Sequence, residues 1–558
     1  MQLSADDIVE YSNKKTWQFF ASALTALYAL VLTILAVTFE LSPTWKADIW
    51  RAQNEYVVVT AFRTSRFTPL VDETTVFHLY MYGLGIIYLI YCYAFMIYPQ
   101  AVNWLLVKAN RAQLLLVPTN YSGEGAGTLY LRLGALCFGT LGIVLYGMEI
   151  YLTFEESDDE TAYYISEHVS AIVFTFLQMH FIFCHSKIRL LGPSKISKLG
   201  MMHLVSVNLW TWLRYVTEKE ILEVHEKIVA KGSAPREETK GHKNKSSHMV
   251  VEWKDLSSSF ADFTSFFTTC IVEYSLIGAA VMFILWRSID HAATDPRVKR
   301  KEHMRIDCSR TSRGLFAGVF YVILSFVAIA IFGIDSSLGS TQSDKIFGIV
   351  NITLFTIILV ASLTAMYRIR LLQYRIHARG EVIDEILLVI GLSGELIYCC
   401  IGIDQFISSR GKHEVSQSIL PLFVFISRAI QVIVQTMLIL TVSRLRCYTA
   451  EAIKLKPGKQ IITFLLVANM ALFVFQTFEN MKSNIGIDSS ADEVYLTIVS
   501  IVAPLLVFYR FHSSVCLAES WKNTYNGKEA SRRVSTATFL GDETTQEFVI
   551  PKFQLSQL

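Results

Sequence analysis

The sequence predicts an all-α polytopic membrane protein whose twelve transmembrane helices form two parallel six-helix pseudo-repeats. Three observations predict it. Of 558 residues, 52% are hydrophobic and only 18% charged, with a mean hydropathy of +0.40, whereas an average soluble domain is about a quarter charged. Twelve apolar runs approach or reach the length of about 20 residues that a helix needs to cross the hydrocarbon. Polar residues inside the first six runs recur in order inside the last six. An ordinary soluble enzyme is excluded by that composition. Fifty Lys and Arg against 48 Asp and Glu give +2, too even a balance for nucleic-acid binding. Nine cysteines are scattered through the chain without a CxxC pair, so neither a disulfide framework nor a metal cluster is expected.

The runs lie at roughly 17–39, 75–98, 133–154, 169–185, 201–216, 263–286, 314–333, 346–367, 386–403, 419–442, 461–478 and 494–517. Lys14 and Lys15 precede the first, which lacks the small-residue cleavage site of a removable signal and reads as a permanent span. Lys and Arg in short loops orient a membrane chain. The loops after spans 4, 6, 8 and 10 are basic, whereas the loop after span 3 holds Glu155, Glu156, Asp158, Asp159 and Glu160 and no base. Both termini are therefore expected in the cytosol. The loop at 217–261 carries eight bases and eight acids and weighs little. The tail from Trp521 to Leu558 is polar, Ser/Thr-rich and expected to be loosely ordered.

Self-similarity spans four consecutive helix pairs. FLQMHFIFCHSK lies on VIVQTMLILTVSR, setting Gln178 over Gln435, and HLVSVNLWTWLRYVTE lies on FLLVANMALFVFQTFE, setting Asn208 over Asn469 and Glu218 over Glu479. EYSLIGAAVMFILW lies on FYRFHSSVCLAESW, so Tyr274 meets Tyr509; YGMEIY lies on LSGELIY, so Glu149 meets Glu395. What coincides is mainly the polar residue in an apolar helix, which a bilayer makes expensive. Six spans per half, an even number, make the halves parallel, residues 1–290 and 291–558, joined by the basic linker 287–313.

These blocks carry a family resemblance. FLQMHFIFCHSK, MMHLVSVNLWTWLR, CIVEYSLIGAAVMFILW, VQTMLIL and FYRFHSSVCLAESW resemble the corresponding segments of otopetrins, proton-selective channels of animal plasma membranes. The resemblance implies a twelve-helix subunit in a plasma-membrane homodimer, conducting protons inward when the outside is acidified. It maps the family's polar triads at the interface between halves onto Gln178, Asn208 and Tyr509, and through the repeat onto Gln435, Asn469 and Tyr274. Expected partners are protons, membrane lipid with a sterol as a candidate, and a second copy; no cofactor, metal or nucleic acid is expected.

Amides and phenols both donate and accept, so a Gln/Asn/Tyr cluster can orient waters or seal them off while staying neutral. The same cluster could serve only as an interhelical clamp. Glu149 and Glu395 are the foremost candidates for titrating relays, with Glu273 a lone acid beside Tyr274. Glu149 alternatively sits near the interface. Glu218 and Glu479 stand at the extracellular ends of spans 5 and 11, where an acid meets water. His168, beside Glu167, is the candidate pH sensor. His180, His203 and His512 lie near the cytosolic face, where a structural role competes with a proton exit. Arg428 is expected to pair with a carboxylate, and Arg510 to snorkel to the cytosolic interface. Of three glycosylation patterns, only Asn244-Lys-Ser lies in an expected extracellular segment. The rival to a proton channel is a proton-coupled solute transporter, which shares the six-plus-six architecture; a membrane enzyme lacks any paired catalytic motif.

Overall fold

The computed structural model describes the backbone of residues 5–51, 70–109, 128–155, 161–185, 194–232, 247–289, 311–337, 343–374, 382–410, 419–481 and 493–525. The runs form helices because each is apolar, so its backbone can be satisfied in lipid only from within. In chain order they are α1 (Ala5–Arg51), α2 (Leu70–Tyr91), α3 (Gln100–Lys108), α4 (Leu129–Glu155), α5 (Thr161–His185), α6 (Ser194–Gly232) and α7 (Ser247–Ser288). The second series is α8 (Ser312–Ser337), α9 (Ser343–Ile369), α10 (Val382–Arg410), α11 (Leu420–Ser443), α12 (Ala450–Leu455), α13 (Lys459–Met481) and α14 (Glu493–Thr524). A π-turn over Cys92–Ile97 continues α2 to the start of α3.

Among the described residues, eleven helices are long and apolar enough to cross a membrane, so the protein is an all-α, multi-pass membrane protein. The expected span at 201–216 falls on α6, which is not among them. Its core is buried, yet Lys198, His203, Asn208 and Arg214 dilute its apolarity.

Two expectations are corrected. The polar segment 217–261 is largely helix, since α6 runs on to Gly232 and α7 begins at Ser247. EKEILEVHEKIVAK is rich in helix formers with opposite charges at helical spacing, and outlasts the apolar run it follows. Nor does loose order begin at Trp521: α14 extends to Thr524, and Trp521 and Tyr525 face the buried Lys459, whose Nζ lies 4.6 and 5.9 Å from their ring centroids.

A clasp gathers helix ends at that end of α14. Strand β1 (Gln373–Tyr374) pairs antiparallel with β2 (Leu445–Arg446), Gln373 opposite Arg446. The Gln373 Oε1 accepts from Tyr448 N at 3.0 Å, Cys447 N donates to Thr524 O at 3.0 Å, and Tyr525 OH donates to Pro457 O at 2.7 Å. Burial pushes the Cys447 thiol up to about 11, so it remains a protonated packing group.

Helices α1, α2 and α4 to α7 share one apolar core, and α8 to α11, α13 and α14 supply most of two others. The cores meet where Leu387, Phe508, Phe511 and Val515 of the second series enter the first. Phe138 of α4 lies 4.8 Å from Phe511 and 5.7 Å from Phe473, ring centre to ring centre.

Candidate functional site

In the first series, three helices bring one polar residue each to a fully buried point. Gln178 on α5 and Asn208 on α6 form a reciprocal amide pair: Gln178 Nε2 donates to Asn208 Oδ1 at 2.8 Å, and Asn208 Nδ2 donates back to Gln178 Oε1 at 2.9 Å. Tyr274 on α7 accepts from Gln178 Nε2 at 3.2 Å and donates to the Thr175 carbonyl at 3.2 Å. Asn208 also donates to Leu204 O, one turn back. The close approach of α7 depends on Gly278, where a Cβ would stand 2.4 Å from Asn208 Oδ1 and 2.8 Å from Gln178 Nε2.

The second series repeats this with one change. Gln435 Nε2 donates to Asn469 Oδ1 at 2.8 Å, Asn469 Nδ2 returns a bond at 3.2 Å and donates to Leu465 O, and Tyr509 donates to the Val432 carbonyl at 2.9 Å. Each tyrosine thus bonds the carbonyl three residues before the glutamine. Tyr509, however, meets Thr436 Oγ1 at 2.8 Å, and Gln435 is met by Gln431 Nε2 at 2.9 Å. The expected exchange of tyrosines between halves is corrected: Gln178 and Asn208 meet Tyr274, and Tyr509 stays with its own series, because α7 packs along α6 as α14 packs along α13.

The two repeat-matched glutamates have unlike surroundings. Glu149 Oε2 lies 2.9 Å from His168 Nε2, with side chains 21% and 11% exposed, and accepts from Tyr215 OH at 3.4 Å. The expected relay and the expected sensor are one pair. Glu395 is fully buried between two guanidinium groups, Arg428 Nε at 2.7 Å and Arg510 Nη2 at 3.0 Å, and accepts from Gln476 Nε2 at 3.2 Å. Arg428 reaches on to Glu479 Oε2 at 3.4 Å, completing a buried set of two acids and two bases. Arg510 Nη1 donates to Gln431 Oε1 at 2.8 Å, linking Glu395 to the Gln435–Asn469 pair. The guanidinium carbons of Arg428 and Arg510 each lie 5.4 Å from the Phe355 ring centroid.

Arg510 therefore does not snorkel; inside the bundle it pairs with a carboxylate and donates to an amide. Glu479 is likewise not an open vestibule acid, being 8% exposed and turned onto Arg428. The side chain of Glu218 lies outside the described residues, as do Asn120 and Asn244. Asn351 is buried within α9, 2% exposed. Glu273 is 1% exposed, and neither carboxyl oxygen has a hydrogen-bond partner. His512 is fully buried and stacked on Phe508, with Nε2 at 2.8 Å from the Asp384 carbonyl. His180 meets Tyr93 OH at 2.6 Å, and His203 lies between Tyr28 OH and Met81 O, both at 3.0 Å.

Sequence reasoning missed His78 and Arg214 at Glu167, Glu40 beyond His78, Tyr215 at Glu149, Gln476 at Glu395 and Gln431 at Arg510. Arg214 and Gln431 carried a readable signal, as polar residues inside apolar runs that should be explained singly. Glu40 and His78 sit at run ends, where polarity is unremarked.

The Otopetrin family model matches residues 130–259 and 251–511. Proton channel OtopLc of Drosophila melanogaster is 28% identical over 464 residues, covering 75% of this chain and 29% of that protein. Proton channel OTOP2 of Mus musculus is 21% identical over 240 residues, 42% of each. The chain thus spans less than half the length of either relative. With matches over more than half of its residues, covering α4 to α13 and the start of the Tyr509 helix, the chain belongs to the otopetrin family.

Proposed function

We propose that the protein is a proton-selective channel of the plasma membrane, carrying protons inward in response to extracellular acid. Twelve spans, α6 being the one too polar to pass on apolarity, make two parallel six-helix halves, residues 1–290 and 291–558. Both termini are cytosolic, the subunit forms a homodimer, and membrane lipid, with a sterol as a candidate, fills its outer surface. The single observation that carries the reading is the doubled, buried and neutral Gln–Asn–Tyr arrangement, in a family whose two matched relatives are both called proton channels.

A proton travels by exchange of hydrogen bonds, so its path needs groups that donate and accept without offering a charge that would trap it. In the resting arrangement the amides of Gln178 and Asn208 satisfy each other, which excludes water between α5 and α6. Parting them exposes two donors and two acceptors that line a water wire. Tyr274, anchored on the Thr175 carbonyl in the resting arrangement, stands beside that wire. Gln435, Asn469 and Tyr509 act alike in the other half.

Glu149 takes a proton from the external side, with His168 as its exchange partner and pH sensor. Glu218 attracts protons to the external mouth of the N half, while Glu479 is held on Arg428. Glu273, buried without a partner beside Tyr274, is the inner station once water reaches it. Glu395, paired with two arginines, orients Gln431 and the C-half amide pair more than it titrates. His512 lies beyond Tyr509 toward the cytosolic exit.

The test is acid-driven flux into sealed vesicles holding the purified protein, with potassium and valinomycin clamping the voltage and no organic solute present. Dissipation of the imposed gradient, slowed by Gln178→Leu, is the expected result. Silence until a solute is added would instead favour the solute-coupled transporter.

A further inference from the structure

His78, on α2 and 6% exposed, touches three other helices through its ring nitrogens. Its Nε2 lies 2.9 Å from Glu40 Oε1 of α1. Its Nδ1 lies 3.1 Å from Glu167 Oε1 of α5 and 3.4 Å from Arg214 Nη1 of α6. Arg214 also donates to Glu167, and Trp210 Nε1 donates to Glu40 Oε1 at 2.8 Å. The charged groups facing the ring are thus Glu40, Glu167 and Arg214; Phe77 and Trp210 enclose it.

This geometry suits two protonation states without a change of rotamer. An imidazolium donates to a carboxylate from each nitrogen. A neutral ring with its hydrogen on Nε2 keeps the Glu40 bond and accepts at Nδ1 from Arg214, which stands beside Glu167. Loading or unloading the Nδ1 proton exchanges Glu167 for Arg214. The charges agree, since two carboxylates and one guanidinium leave a net −1 that one added proton cancels.

The adjoining residues supply the next step. Glu167 is followed on α5 by His168, whose Nε2 meets Glu149, and Arg214 is followed on α6 by Tyr215, which donates to the same Glu149. Two proton-holding pairs therefore share two consecutive positions on each of two helices.

We propose that His78, cradled by Glu40, Glu167 and Arg214, is a proton-loading site of the N half that precedes the Glu149–His168 pair. It deepens the proton-channel reading and rests on it. The test uses the full chain in sealed vesicles, recording initial proton flux against external pH at clamped voltage. His78→Gln keeps a donor but cannot be protonated, and is expected to flatten the pH dependence. Glu40→Gln, at the more exposed of the two acids, keeps an acceptor but removes a charge next to the imidazolium; half-maximal flux is expected about one pH unit more acidic. If His78→Gln does not fold, as judged by gel filtration, Glu40→Gln decides alone. An unchanged pH profile in a variant that inserts and conducts overturns the proposal while leaving the channel reading intact. Wild-type vesicles that carry no protons overturn the channel reading, and this proposal falls with it.

Discussion

At the scale of single residues, the two repeat-matched glutamates predict opposite mutational signatures. Glu395 is fully buried, and both its oxygens meet guanidinium groups. Replacing it with Gln leaves Arg428 and Arg510 with one acid, Glu479, between them, and unpairing a buried charge costs about 3–5 kcal/mol. Glu149→Gln removes one member of a partly exposed pair, and such a change costs about 1 kcal/mol or less. Glu395→Gln should therefore lower the melting temperature in detergent far more than Glu149→Gln, whereas Glu149→Gln should alter proton flux in protein that remains folded. Equal melting losses would refute the contrast. The sequence could equate these residues because both are acids at matched depth in apolar runs. It could not separate them, because partner identity depends on α11 and α14, where Arg428 and Arg510 stand over Ala171 and Ser275 in the repeat alignment. Three-dimensional neighbours decide whether a buried acid is a station or an anchor.

At the scale of elements, the apolar runs were legible wherever lipid or packing demands apolarity, and illegible where a helix continues on other grounds. α6 and α7 extend past their runs because a charged, helix-favouring stretch needs no lipid. β1 and β2, two residues each, have no period to detect. Helix contact points are likewise invisible in a run of small and apolar residues, although membrane helices approach most closely at small residues. Gly278 is the instance nearest the site. Alanine there puts a Cβ 2.4 Å from Asn208 Oδ1, so the amide pair or the α6–α7 spacing has to give. Overpacking of that kind costs about 1–3 kcal/mol. Gly147, with nothing within 4 Å of its Cβ position, provides the control, since Ala favours helix over Gly. Gly278→Ala should destabilise the protein and change its proton flux, while Gly147→Ala should do neither. A Gly278→Ala protein that melts and conducts like wild type would show that the amide pair does not depend on the tight α6–α7 contact.

At the scale of the whole molecule, the two helix series meet through an apolar seam in which Phe138, Phe473 and Phe511 lie within 6.0 Å of one another, centroid to centroid. A Cβ on Gly134 would stand 2.1 Å from Phe511 Cζ, so Phe511 occupies the space that this glycine leaves. Nothing in the sequence marks those phenylalanines among 36; the recurrence of polar positions could be read, the surface joining the two helix series could not. If residues 1–290 and 291–558 are separate folding halves, they should assemble when co-expressed as two chains, copurify, and restore proton flux in vesicles. Phe511→Ala then separates the seam from the tether. Emptying a buried Phe site costs about 3–5 kcal/mol, roughly a 100-fold or greater loss of association between unlinked halves. In the intact chain the linker keeps the halves at an effective concentration in the millimolar range, which offsets much of that loss. Phe511→Ala should therefore abolish copurification of the split halves while the single-chain variant still folds and carries protons. Split wild-type halves that fail to copurify, although each inserts in the membrane, would mean that the seam alone does not hold the halves together.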